Sequence, residues 1–585
     1  MGREDFACGV SASLLGQPWR WRRNGGDDLS LSLTDQLLLG RGVEQADLPR
    51  HRQPTIRDFL PDPSVFKDMD KAAARLADAV ERQELVTIFG DFDVDGATSA
   101  ALLVLLLRRL GLEAGTYIPD RLMEGYGPSG DALVALKESG ADLVVTVDCG
   151  AQAFAALEAA TEAGLDVIIC DHHQCAAELP KAYAVINPNR LDESADGAAH
   201  GHLAAVGMAF LLGVALVREL RKRGRFADGL EPSLIDLLDL VALGTVADVA
   251  RLRSLNRAFV TQGLKVMAGG KNLGLTSLAK AARLVKAPSC RDLGFALGPR
   301  INAGGRVGRS NLGVRLLTST DPEEARAIAA ELDRLNEERR AIETLVTEAA
   351  EAQASAHAGE PVVVVSGKGW HPGVIGIVAG RLKEKVGRPT IVIAEDEDGT
   401  GKGSGRSIGG VDLGAAVLAA KDSGLLIAGG GHAMAAGLTV APGGIEPLRA
   451  FLCERLQTDI EQAVGTRALL LDATLAPGGV VGGLCDELDG GGPYGAGWPS
   501  PKIAAGPARL MRVAIVGNGH VRGIACGLDG KSFKWIAFRA VGTPLGEALL
   551  GSPADKAWWL AGSIKRDEWN GGNAAEMHLD DAAPA

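Results

Sequence analysis

The chain has 585 residues, a formal net charge of −12, 46% hydrophobic residues and 23% charged residues. This composition is typical of globular proteins, and the length suggests roughly three or four domains. The longest candidate apolar run, residues 100–107, is shorter than the ~18 residues of a membrane-spanning helix, so no membrane association is expected. An acidic chain ordinarily disfavours nucleic-acid partners, although a locally basic groove can lie within an acidic surface.

The cysteines are scattered along the chain and form no Cys-x-x-Cys pair. They stand at positions 8, 149, 170, 175, 290, 453, 485 and 526. This spacing argues against a structural zinc site and against a disulfide framework. We therefore expect the protein to work in a reducing cytoplasm.

From about residue 72 to residue 171, helix and strand patterns alternate, which is the βαβ signature of a parallel sheet. Three buried strand patterns each end in acidic or imidazole side chains. They are residues 86–89 before Asp91, Asp93 and Asp95, residues 143–147 before Asp148, and residues 167–170 before Asp171, His172 and His173. Parallel strands open on one edge of a sheet, where α/β proteins bind ligands, so a binuclear site for hard cations is predicted.

A single Asp-x-Asp loop is more often a solvated turn that caps the next helix than a metal site. Repetition at three strand ends favours the metal interpretation, because gathered carboxylates repel one another unless cations neutralise them. Asp248, at the end of an apolar helix pattern, is predicted as a further ligand. Mixed carboxylate and imidazole ligands suit Mn²⁺ or Mg²⁺ better than zinc.

Four arginines lie in Gly-containing segments, which are predicted to be turns with free backbone amides. They are Arg121, Arg300, Arg306 and Arg406. Arginine binds phosphate bidentately, but surface ion pairs are an equal alternative for any one of them. The Gly-rich segment before His432 is either a tightly packed turn or a set of amides presented to phosphate.

The remaining patterns complete an α/β fold class. Residues 322–353 predict one long helix, residues 362–365 and 389–394 predict strands of a second α/β domain, and short β-like runs after Thr466 predict a small barrel. Residues 580–585 are expected to be disordered. The predicted segments are 1–320 for an N-terminal segment with the catalytic domain, 321–353 for a connecting helix, 354–465 for the second α/β domain and 466–585 for the barrel.

Four motifs resemble the ordered motifs of the DHH phosphoesterase superfamily, namely residues 91–96, 148–150, 171–173 and 244–248. Five further segments are similar to motifs of the RecJ family of single-strand-specific 5′→3′ DNA exonucleases, namely residues 121–127, 298–306, 370–376, 404–407 and 429–437. The resemblance spans almost the whole chain. It implies a parallel-sheet DHH domain, a long connecting helix, a DHH-associated α/β domain and an oligonucleotide-binding (OB) barrel.

The resemblance also implies the site residues. Two divalent cations, Mn²⁺ or Mg²⁺, would be held by Asp91, Asp93, Asp95, Asp148, His172 and Asp248. The resemblance does not separate which of the three loop acids bind directly. Catalytic roles fall to His173 beside the scissile phosphate and to Arg300 and Arg306, and substrate binding falls to Arg121, Ser404, Arg406 and His432. Of these, Arg121, Ser404 and Arg406 would hold the 5′-phosphate, and Arg300, Arg306 and His432 the backbone phosphates near the cut.

The implied activity is release of 5′-mononucleotides from single-stranded DNA in recombination and repair. A monomer, with a single-strand-binding protein and a helicase as partners, is expected on the same basis. One alternative is a DHH phosphodiesterase of short oligoribonucleotides or cyclic dinucleotides, but such substrates need neither the long helix nor the barrel. Another is an inactive relative that serves as a replication scaffold, which the intact acidic motifs argue against.

Overall fold

A computed structural model describes residues 6–22, 31–121, 123–227, 229–567 and 574–585. The chain forms two compact units, one made of Met1–Phe59 with Arg467–Ala585 and the other of Leu60–Thr466. The division predicted from the sequence did not anticipate that the N-terminal segment belongs with the C-terminal one. Within the described ranges, no helix is both long and apolar enough to cross a membrane.

The elements follow in chain order. The N-terminal segment contains β1 (Trp19–Trp21), α1 (Leu33–Gly40), α2 (Leu48–Arg52) and α3 (Ile56–Phe59). Next come the strands of the first sheet and the helices between them: α4 (Met69–Arg82), β2 (Val86–Gly90), α5 (Val94–Arg109), β3 (Gly115–Tyr117), α6 (Gly130–Glu138), β4 (Leu143–Val147), α7 (Phe154–Glu162), β5 (Asp166–Cys170) and β6 (Ala184–Ile186).

A helical region follows this sheet. It contains α8 (Ala195–Ala198), α9 (Ala205–Lys222), α10 (Leu238–Ala247), α11 (Ser254–Ala268), α12 (Leu273–Ala281), α13 (Cys290–Asp292), a π-helix (Leu293–Leu297), α14 (Gly298–Val307) and α15 (Leu312–Thr318).

The second half begins with the long helix α16 (Pro322–Ala356). It continues with β7 (Val363–Lys368), α17 (Ile375–Val386), β8 (Thr390–Glu395), β9 (Gly401–Arg406), α18 (Leu413–Asp422), β10 (Ala428–His432), β11 (Ala435–Val440) and α19 (Ile445–Gly465). The C-terminal segment contains β12 (Leu469–Leu471), β13 (Ala473–Leu475), α20 (Gly482–Gly490), β14 (Ile503–Val516), β15 (His520–Gly527), β16 (Ser532–Ala537), α21 (Pro544–Leu550), β17 (Ala557–Arg566) and β18 (Ala575–Pro584). Short 3₁₀ helices cover Ala7–Gly9, Gln45–Asp47, Pro63–Val65, Ile235–Leu237 and Pro477–Gly479.

The predicted α/β fold class is confirmed. The first sheet is five-stranded and parallel, in the order β3-β2-β4-β5-β6. Every residue of β2 and β4 is buried, as expected for continuous Val- and Ile-rich strands covered on both faces. Helix α5 is buried along most of its length, because it lies among β2, α9, α10 and α15.

The segment with Arg300 and Arg306 is helix α14 rather than the predicted turn. Its glycines serve close packing instead of backbone freedom. A Cβ at Gly305 would lie 3.0 Å from the carbonyl oxygen of Phe92, and a Cβ at Gly304 would lie 3.0 Å from that of Arg309. Tertiary packing therefore outweighs the low helix propensity of glycine, and the amides expected to be free lie within a helix.

Helix α16 joins the two α/β regions of the larger unit. Pro322 is at its first turn, and Asp321 caps it by accepting a hydrogen bond from the Glu323 amide at 2.9 Å. Its 35 residues span about 50 Å. It packs on α12 and α14 at one end and on α17 and β7 at the other. Buried Glu343 also pairs with Arg381 of α17 at 2.7 Å, which fixes the helix to the second region.

The second sheet has the order β10-β11-β9-β8-β7, with β7 and β8 parallel and the other pairs antiparallel. The glycines before His432 form strand β10 rather than the predicted turn. Gly429, Gly430 and Gly431 pair in register with residues 436–438 of β11. In an antiparallel pair only alternate residues direct their amides at the partner strand, so strand pairing uses some of these amides and not all of them.

The C-terminal segment is a closed barrel. Strands β14, β15, β16, β18 and β17 follow one another around it, and β17 pairs with β14 to close the ring. Its core contains buried Trp535 and Trp558. The tail is not disordered as expected: it is strand β18, with Ala582 and Ala583 buried. Buried Trp19 of the N-terminal segment donates a hydrogen bond from Nε1 to Asp581 at 3.0 Å, which ties the chain ends together.

Candidate active site

The register of the parallel sheet brings polar side chains to one edge. Gly90, Val147, Cys170 and Ile186 pair in one row across β2, β4, β5 and β6. The residues that follow them are Asp91, Asp148, Asp171 and Asn187. Because parallel strands end together, these side chains leave the sheet at the same level. The predicted clustering of the strand-end acids is therefore found.

The clustered side chains form overlapping groups whose potential metal-ligand atoms all lie within 4.8 Å of one another. One group is Asp91, Asp93 and Asp148, a second is Asp95, His172 and Asp248, and a third is Asp148, His172 and His173. Asp148 and His172 connect the groups, since Asp148 Oδ1 lies 3.3 Å from His172 Nε2. All six residues predicted as metal ligands thus come together.

The three loop acids have different hydrogen bonds. Asp93 caps α5, with Oδ1 accepting from the amides of Asp95 at 2.8 Å and Gly96 at 3.2 Å. Asp95 accepts from the first two amides of α9, Ala205 at 2.7 Å and Val206 at 2.9 Å. Asp91 is buried, and its Oδ1 has no hydrogen-bond partner among the described residues. Helix capping and a group of potential metal ligands therefore occur in the same loop, and they do not exclude each other.

The ring of His172 is oriented by a contact between its Nδ1 and a backbone carbonyl. Nδ1 lies 3.1 Å from the carbonyl oxygen of Leu203, so Nδ1 carries the proton and Nε2 has a free lone pair. Nε2 is buried, and no described residue forms a hydrogen bond with it. Asn189, which the sequence analysis did not single out, donates from Nδ2 to the His172 carbonyl at 2.6 Å. This arrangement is the one that a metal-binding imidazole needs.

His173 is held by two residues that sequence reasoning did not assign. Asp171 Oδ1 lies 2.8 Å from His173 Nδ1, and the Tyr126 hydroxyl lies 3.1 Å from the same nitrogen. Tyr126 also donates to the carbonyl of Asp148 at 3.1 Å. In the sequence, the position of Asp171 at a strand end could have indicated its role. For Tyr126 the only such indication was its position in the Gly-rich segment after Arg121. With Nδ1 engaged, Nε2 is the nitrogen that can face a substrate.

The raised pKa values of four carboxyl groups show that the acids of the cluster are crowded together. Burial raises the pKa of Asp91 to about 8 and the pKa of Asp248 to about 7, and the charge of Asp93 adds to both shifts. Burial, followed by neighbouring carboxylates, also raises the pKa of Asp95 and Asp148. Four carboxylates that resist ionisation together are stabilised by a cation at their centre.

The two histidines are shifted in opposite directions. Burial, together with the charge of His173, lowers the pKa of His172 to about 4, so this ring is neutral at pH 7. Burial is the largest single influence on His173 and opposes its protonation, but the hydrogen bond to Asp171 and the charges of the neighbouring carboxylates together outweigh burial and raise the pKa of His173 to about 9. Burial is also the largest influence on Asp171, and the hydrogen bond to His173, the charges of both histidines and the Ala151 amide together lower the pKa of Asp171 to about 2. One imidazole is thus suited to bind metal and the other to donate a hydrogen bond.

The backbone at the centre of the cluster is strained. Asp148 has a φ of 62°, in the left-handed region that residues other than glycine rarely adopt. Next to it, Gly150 has a φ of 109°, and a Cβ there would lie 2.7 Å from Thr146 Oγ1. Strain of this kind persists where the surrounding structure enforces it, and it is concentrated at functional sites.

Three predicted arginines lie close enough to influence one another. Burial lowers the pKa of Arg121, Arg306 and Arg406, to about 9 for Arg306, and the charge of Arg121 contributes to the shift of the other two. Arg121 also stacks its guanidinium 4.7 Å from the centre of the Phe92 ring. Within the described parts of the chain, none of the three forms an ion pair with a carboxylate. Guanidinium groups that lie close together and are not held in an ion pair favour binding of an anion.

Ser404 lies with Arg406 on β9. Arg406 Nη1 donates to Ser404 Oγ at 3.1 Å and to the Gly405 carbonyl at 2.8 Å. The first turn of α17 adjoins them, since a Cβ at Gly376 would lie 3.0 Å from Ser404 Oγ. His432 is exposed in the same sheet and pairs with Ala435, which in turn pairs with Arg406. The register therefore places His432 two strands away from Arg406, about 10 Å at usual strand spacing.

Arg300 differs from the other predicted arginines. Its Nε and Nη2 both lie 2.8 Å from Asp333 Oδ1 on α16, and its Nη1 donates to the Ala296 carbonyl at 2.7 Å. No contact between Arg300 and the clustered acids is found in the described structure. Without substrate, Arg300 therefore joins the π-helix to α16.

Three family profiles match consecutive parts of this chain. The DHH family, N-terminal domain, matches residues 85–245, the DHHA1 domain matches residues 359–458, and the RecJ OB domain matches residues 471–581. The first covers β2 to α10 with the acid cluster, the second covers the sheet with Ser404 and Arg406, and the third covers the barrel.

Curated relatives match over most of the chain. A single-stranded-DNA-specific exonuclease RecJ of Dickeya dadantii is 38% identical over 507 residues, covering 84% of this chain and 86% of the relative. The Bacillus subtilis exonuclease RecJ is 34% identical over 591 residues, covering 97% of this chain and 71% of the relative. Crystal structures of Thermus thermophilus RecJ with Mn²⁺ and with Mg²⁺ superpose with TM-scores of 0.76 and 0.71 at 28% identity. Each superposition includes 95% of this chain, and the two superpositions include 76% and 75% of the respective Thermus thermophilus chains.

Proposed function

Because this chain belongs to the RecJ family of single-stranded-DNA-specific exonucleases, we propose that it is a metal-dependent 5′→3′ exonuclease that releases 5′-mononucleotides from single-stranded DNA in recombination and repair. One observation carries the proposal: a crowded cluster of acids with two histidines lies beside three arginines that form no ion pair with a carboxylate among the described residues. The first group suits divalent cations, and the second suits the phosphates of a nucleic acid.

The residues of the cluster fit Mn²⁺ or Mg²⁺. The buried Asp91 Oδ1 and His172 Nε2 have no hydrogen-bond partner in the part of the chain that the structure describes, and both residues belong to the groups that could hold an ion. We propose that Asp91, Asp93 and Asp148 hold one cation and that Asp95, His172 and Asp248 hold the other. When bound, two such cations supply an activated water and neutralise charge on the attacking and leaving oxygens of an in-line displacement.

The protein supplies the surroundings of the reaction. Asp171 fixes the ring of His173 through Nδ1, so that the protonated ring can donate from Nε2 to a phosphate oxygen near the cut. Arg306 is held by a 2.7 Å hydrogen bond from Nη1 to the Gly373 carbonyl, and its other donors can contact the same phosphate. Preoriented donors of this kind stabilise negative charge as it develops.

The direction of cleavage follows from recognition of the 5′ end. Arg121, Ser404 and Arg406 are proposed to bind the terminal phosphate beside the first turn of α17, where a helix N-terminus also favours an anion. A terminal phosphate carries more charge than an internal one and has no further chain attached. A pocket that accepts it fixes the position of the next phosphodiester relative to the acid cluster.

Replacing Arg406 by alanine is expected to lower kcat/KM on 5′-phosphorylated strands by about 10- to 150-fold, because a charge-assisted bidentate contact contributes about 1.5–3 kcal/mol. The loss on 5′-hydroxyl strands should be much smaller. Lys402→Ala is the matched control, since Lys402 is an exposed cation on the same strand. Equal losses on both substrates would show that Arg406 does not recognise the end.

Mn²⁺ affinity is expected to rise between about pH 6 and pH 8. In the metal-free protein, Asp248 and Asp91 have a pKa of about 7 and about 8, so Mn²⁺ must displace their protons at pH 6. Titration calorimetry at pH 6 in two buffers of different protonation enthalpy measures how many protons are released when Mn²⁺ binds.

The same shifts determine a stability effect. A carboxyl whose pKa is raised by folding stabilises the protein below its unfolded pKa, and this contribution is lost as the pH rises through the folded value. Metal-free protein should therefore lose stability towards pH 8, and the rise in Tm on adding Mn²⁺ should be larger at pH 8.5 than at pH 5.5. A pH-independent affinity with no proton release would contradict the predicted cluster.

Digestion of 5′-labelled single-stranded, duplex and dinucleotide substrates tests the function against its alternatives. We expect metal-dependent cleavage of the single strand, with little cleavage of the blunt duplex. Preferred cleavage of dinucleotides would favour the small-substrate phosphodiesterase instead. The proposal also includes a monomeric state and a cytoplasmic location, and the eight free cysteines support the second of these. A helicase and a single-strand-binding protein are proposed as partners, since this substrate must first be unwound.

A further inference from the structure

One buried side-chain amide joins two segments that lie next to the acid cluster. Asn256, in the first turn of α11, is fully buried. Its Nδ2 donates to the carbonyl oxygen of His202 at 2.7 Å and to that of Arg251 at 3.1 Å. Its Oδ1 is buried and has no hydrogen-bond partner among the described residues. Because an unpaired buried oxygen costs free energy, this asparagine needs an explanation, and its two donated bonds provide one.

The first of the two segments, which begins at His202, orients two of the proposed metal ligands. The next carbonyl along the chain, that of Leu203, lies 3.1 Å from His172 Nδ1. The first two amides of α9 then donate to the carboxylate of Asp95 at 2.7 Å and 2.9 Å. A displacement of this segment would therefore change the direction of the His172 ring and the position of the Asp95 carboxylate together.

The second segment leaves α10 directly after Asp248. Its turn is a Schellman motif, with two hydrogen bonds of 3.2 Å back to the last turn of α10. Val249 occupies the position of this motif that usually carries glycine, and its φ of 60° is strained for a β-branched residue. Such strain persists only where the surrounding structure enforces it. The bond from Asn256 to the Arg251 carbonyl holds the chain just beyond this turn and so helps to fix the direction of Asp248.

A second asparagine holds the first segment from its other side. Asn189 donates from Nδ2 to the carbonyl of His172 at 2.6 Å and to that of Gly201 at 3.3 Å. The backbone at residues 201 and 202 is thus bonded to two side-chain amides in succession. Only Asn256 also bonds the segment after Asp248, so among these two amides it alone connects both segments.

We propose that Asn256 is a positioning residue for the cation that Asp95, His172 and Asp248 are proposed to hold. The inference rests on the proposed function and extends it to a residue outside the groups of potential ligands. By bonding both segments through one nitrogen, the amide keeps the ligand atoms in place before the cation binds. Its loss should therefore weaken one of the two proposed cation sites and leave the other unchanged.

The test measures Mn²⁺ binding to the full-length, metal-free protein by titration calorimetry. Asn256→Leu removes both donated bonds, adds no charge and keeps about the same side-chain size. We expect the wild type to bind two Mn²⁺ ions and the variant to bind one of them about 10- to 100-fold more weakly, the usual cost of losing a contact that orients a metal ligand. In cleavage assays, the Mn²⁺ concentration for the half-maximal rate should rise by a similar factor, whereas KM for DNA at saturating Mn²⁺ should be unchanged.

Asn272→Leu is the matched control. Asn272 also uses its side-chain amide to join two elements, since it caps α12 and donates from Nδ2 to the carbonyl of Leu317 in the last turn of α15 at 3.0 Å. Its replacement should lower the Tm and leave both Mn²⁺ affinities unchanged. If Asn256→Leu does not fold, Asn256→Ser takes its place. Its hydroxyl can retain one of the two bonds, so the same site should be weakened to a smaller extent.

The outcomes distinguish the two levels of the proposal. If the wild type binds two Mn²⁺ ions and cleaves single strands while a folded Asn256 variant binds both ions as tightly, the positioning inference is overturned and the proposed function stands. The inference is also overturned if neither Asn256 variant folds while Asn272→Leu does, because the amide would then serve the fold itself. If the wild type binds no Mn²⁺ or does not cleave single strands, the proposed function fails, and the inference fails with it.

Discussion

Replacement of Asp148 by asparagine is expected to lower kcat on single-stranded DNA at least about a hundredfold while leaving the fold intact. Asp148 belongs to two of the candidate ligand groups and lies 3.3 Å from His172 Nε2, so its carboxylate is shared within the cluster. Asparagine keeps the size of the side chain and tolerates the left-handed backbone at this position. It removes the charge.

The stability of the same variant provides a second readout. Asp148 is a buried acid among acids, so its neutralisation should raise the Tm of the metal-free protein at pH 8 and should reduce the further rise on adding Mn²⁺. Asp131→Asn, an exposed acid at the start of α6, is the control and should change neither quantity. Activity of Asp148→Asn above a few per cent of wild type in Mn²⁺ would contradict the binuclear assignment.

Removal of the smaller unit is expected to separate cleavage from binding of long strands. A protein of residues 60–466 keeps every predicted metal and phosphate ligand and omits the barrel together with the N-terminal segment packed on it. We expect cleavage of very short strands to be nearly unchanged. Affinity for long strands should fall, since each stacked base contributes about 1–3 kcal/mol, and its salt dependence should become weaker.

The choice of boundaries matters for this experiment. Deletion from residue 467 alone would expose Trp19, which is buried and bonded to Asp581 in the intact protein. That variant is the control: it should aggregate or lose stability, whereas residues 60–466 should fold. If the folded 60–466 protein bound long strands as tightly as the full chain, with the same salt slope, the barrel would have no role in DNA binding.

The catalytic sheet could be predicted from the sequence because its signals are local. Strand β4 was predicted with its observed ends, β2 and β5 to within one residue, and their acids meet because parallel strands end at one level. The long helix was also predicted, since 35 residues without an internal glycine or proline after Pro322 leave few alternatives.

Other features depend on contacts that no local pattern contains. The Gly-rich segment of Arg300 and Arg306 folds as α14 because Gly305 must approach the backbone of Phe92, which is more than 200 residues earlier in the chain. The pairing of β1 with β12 spans about 450 residues, and the tail is ordered by β17. Composition alone suggested a turn in the first case and disorder in the last.

The candidate site likewise has some features that the sequence predicts and others that only the folded structure reveals. Most of the predicted ligands were acids or histidines at strand ends, with Asp248 at a helix end, and they are found together. Tyr126 and Asn189 were missed because their roles consist of hydrogen bonds to His173 and to the His172 backbone, which only the fold brings about. Residue type left phosphate binding and a surface ion pair as equal alternatives for Arg300, and the family resemblance assigned it to phosphate. In the structure its donors are bonded to Asp333 and to Ala296.

The most direct measurement of the central claim is digestion of one 5′-phosphorylated single strand that carries different labels at its two ends. The wild-type protein is followed with Mn²⁺ and with EDTA. The account predicts that, with Mn²⁺, the 5′ label appears first as a mononucleotide and the 3′ label is released last, and that EDTA stops both. Release of the 3′ label first, internal cuts, or equal rates in EDTA would contradict a metal-dependent 5′→3′ exonuclease.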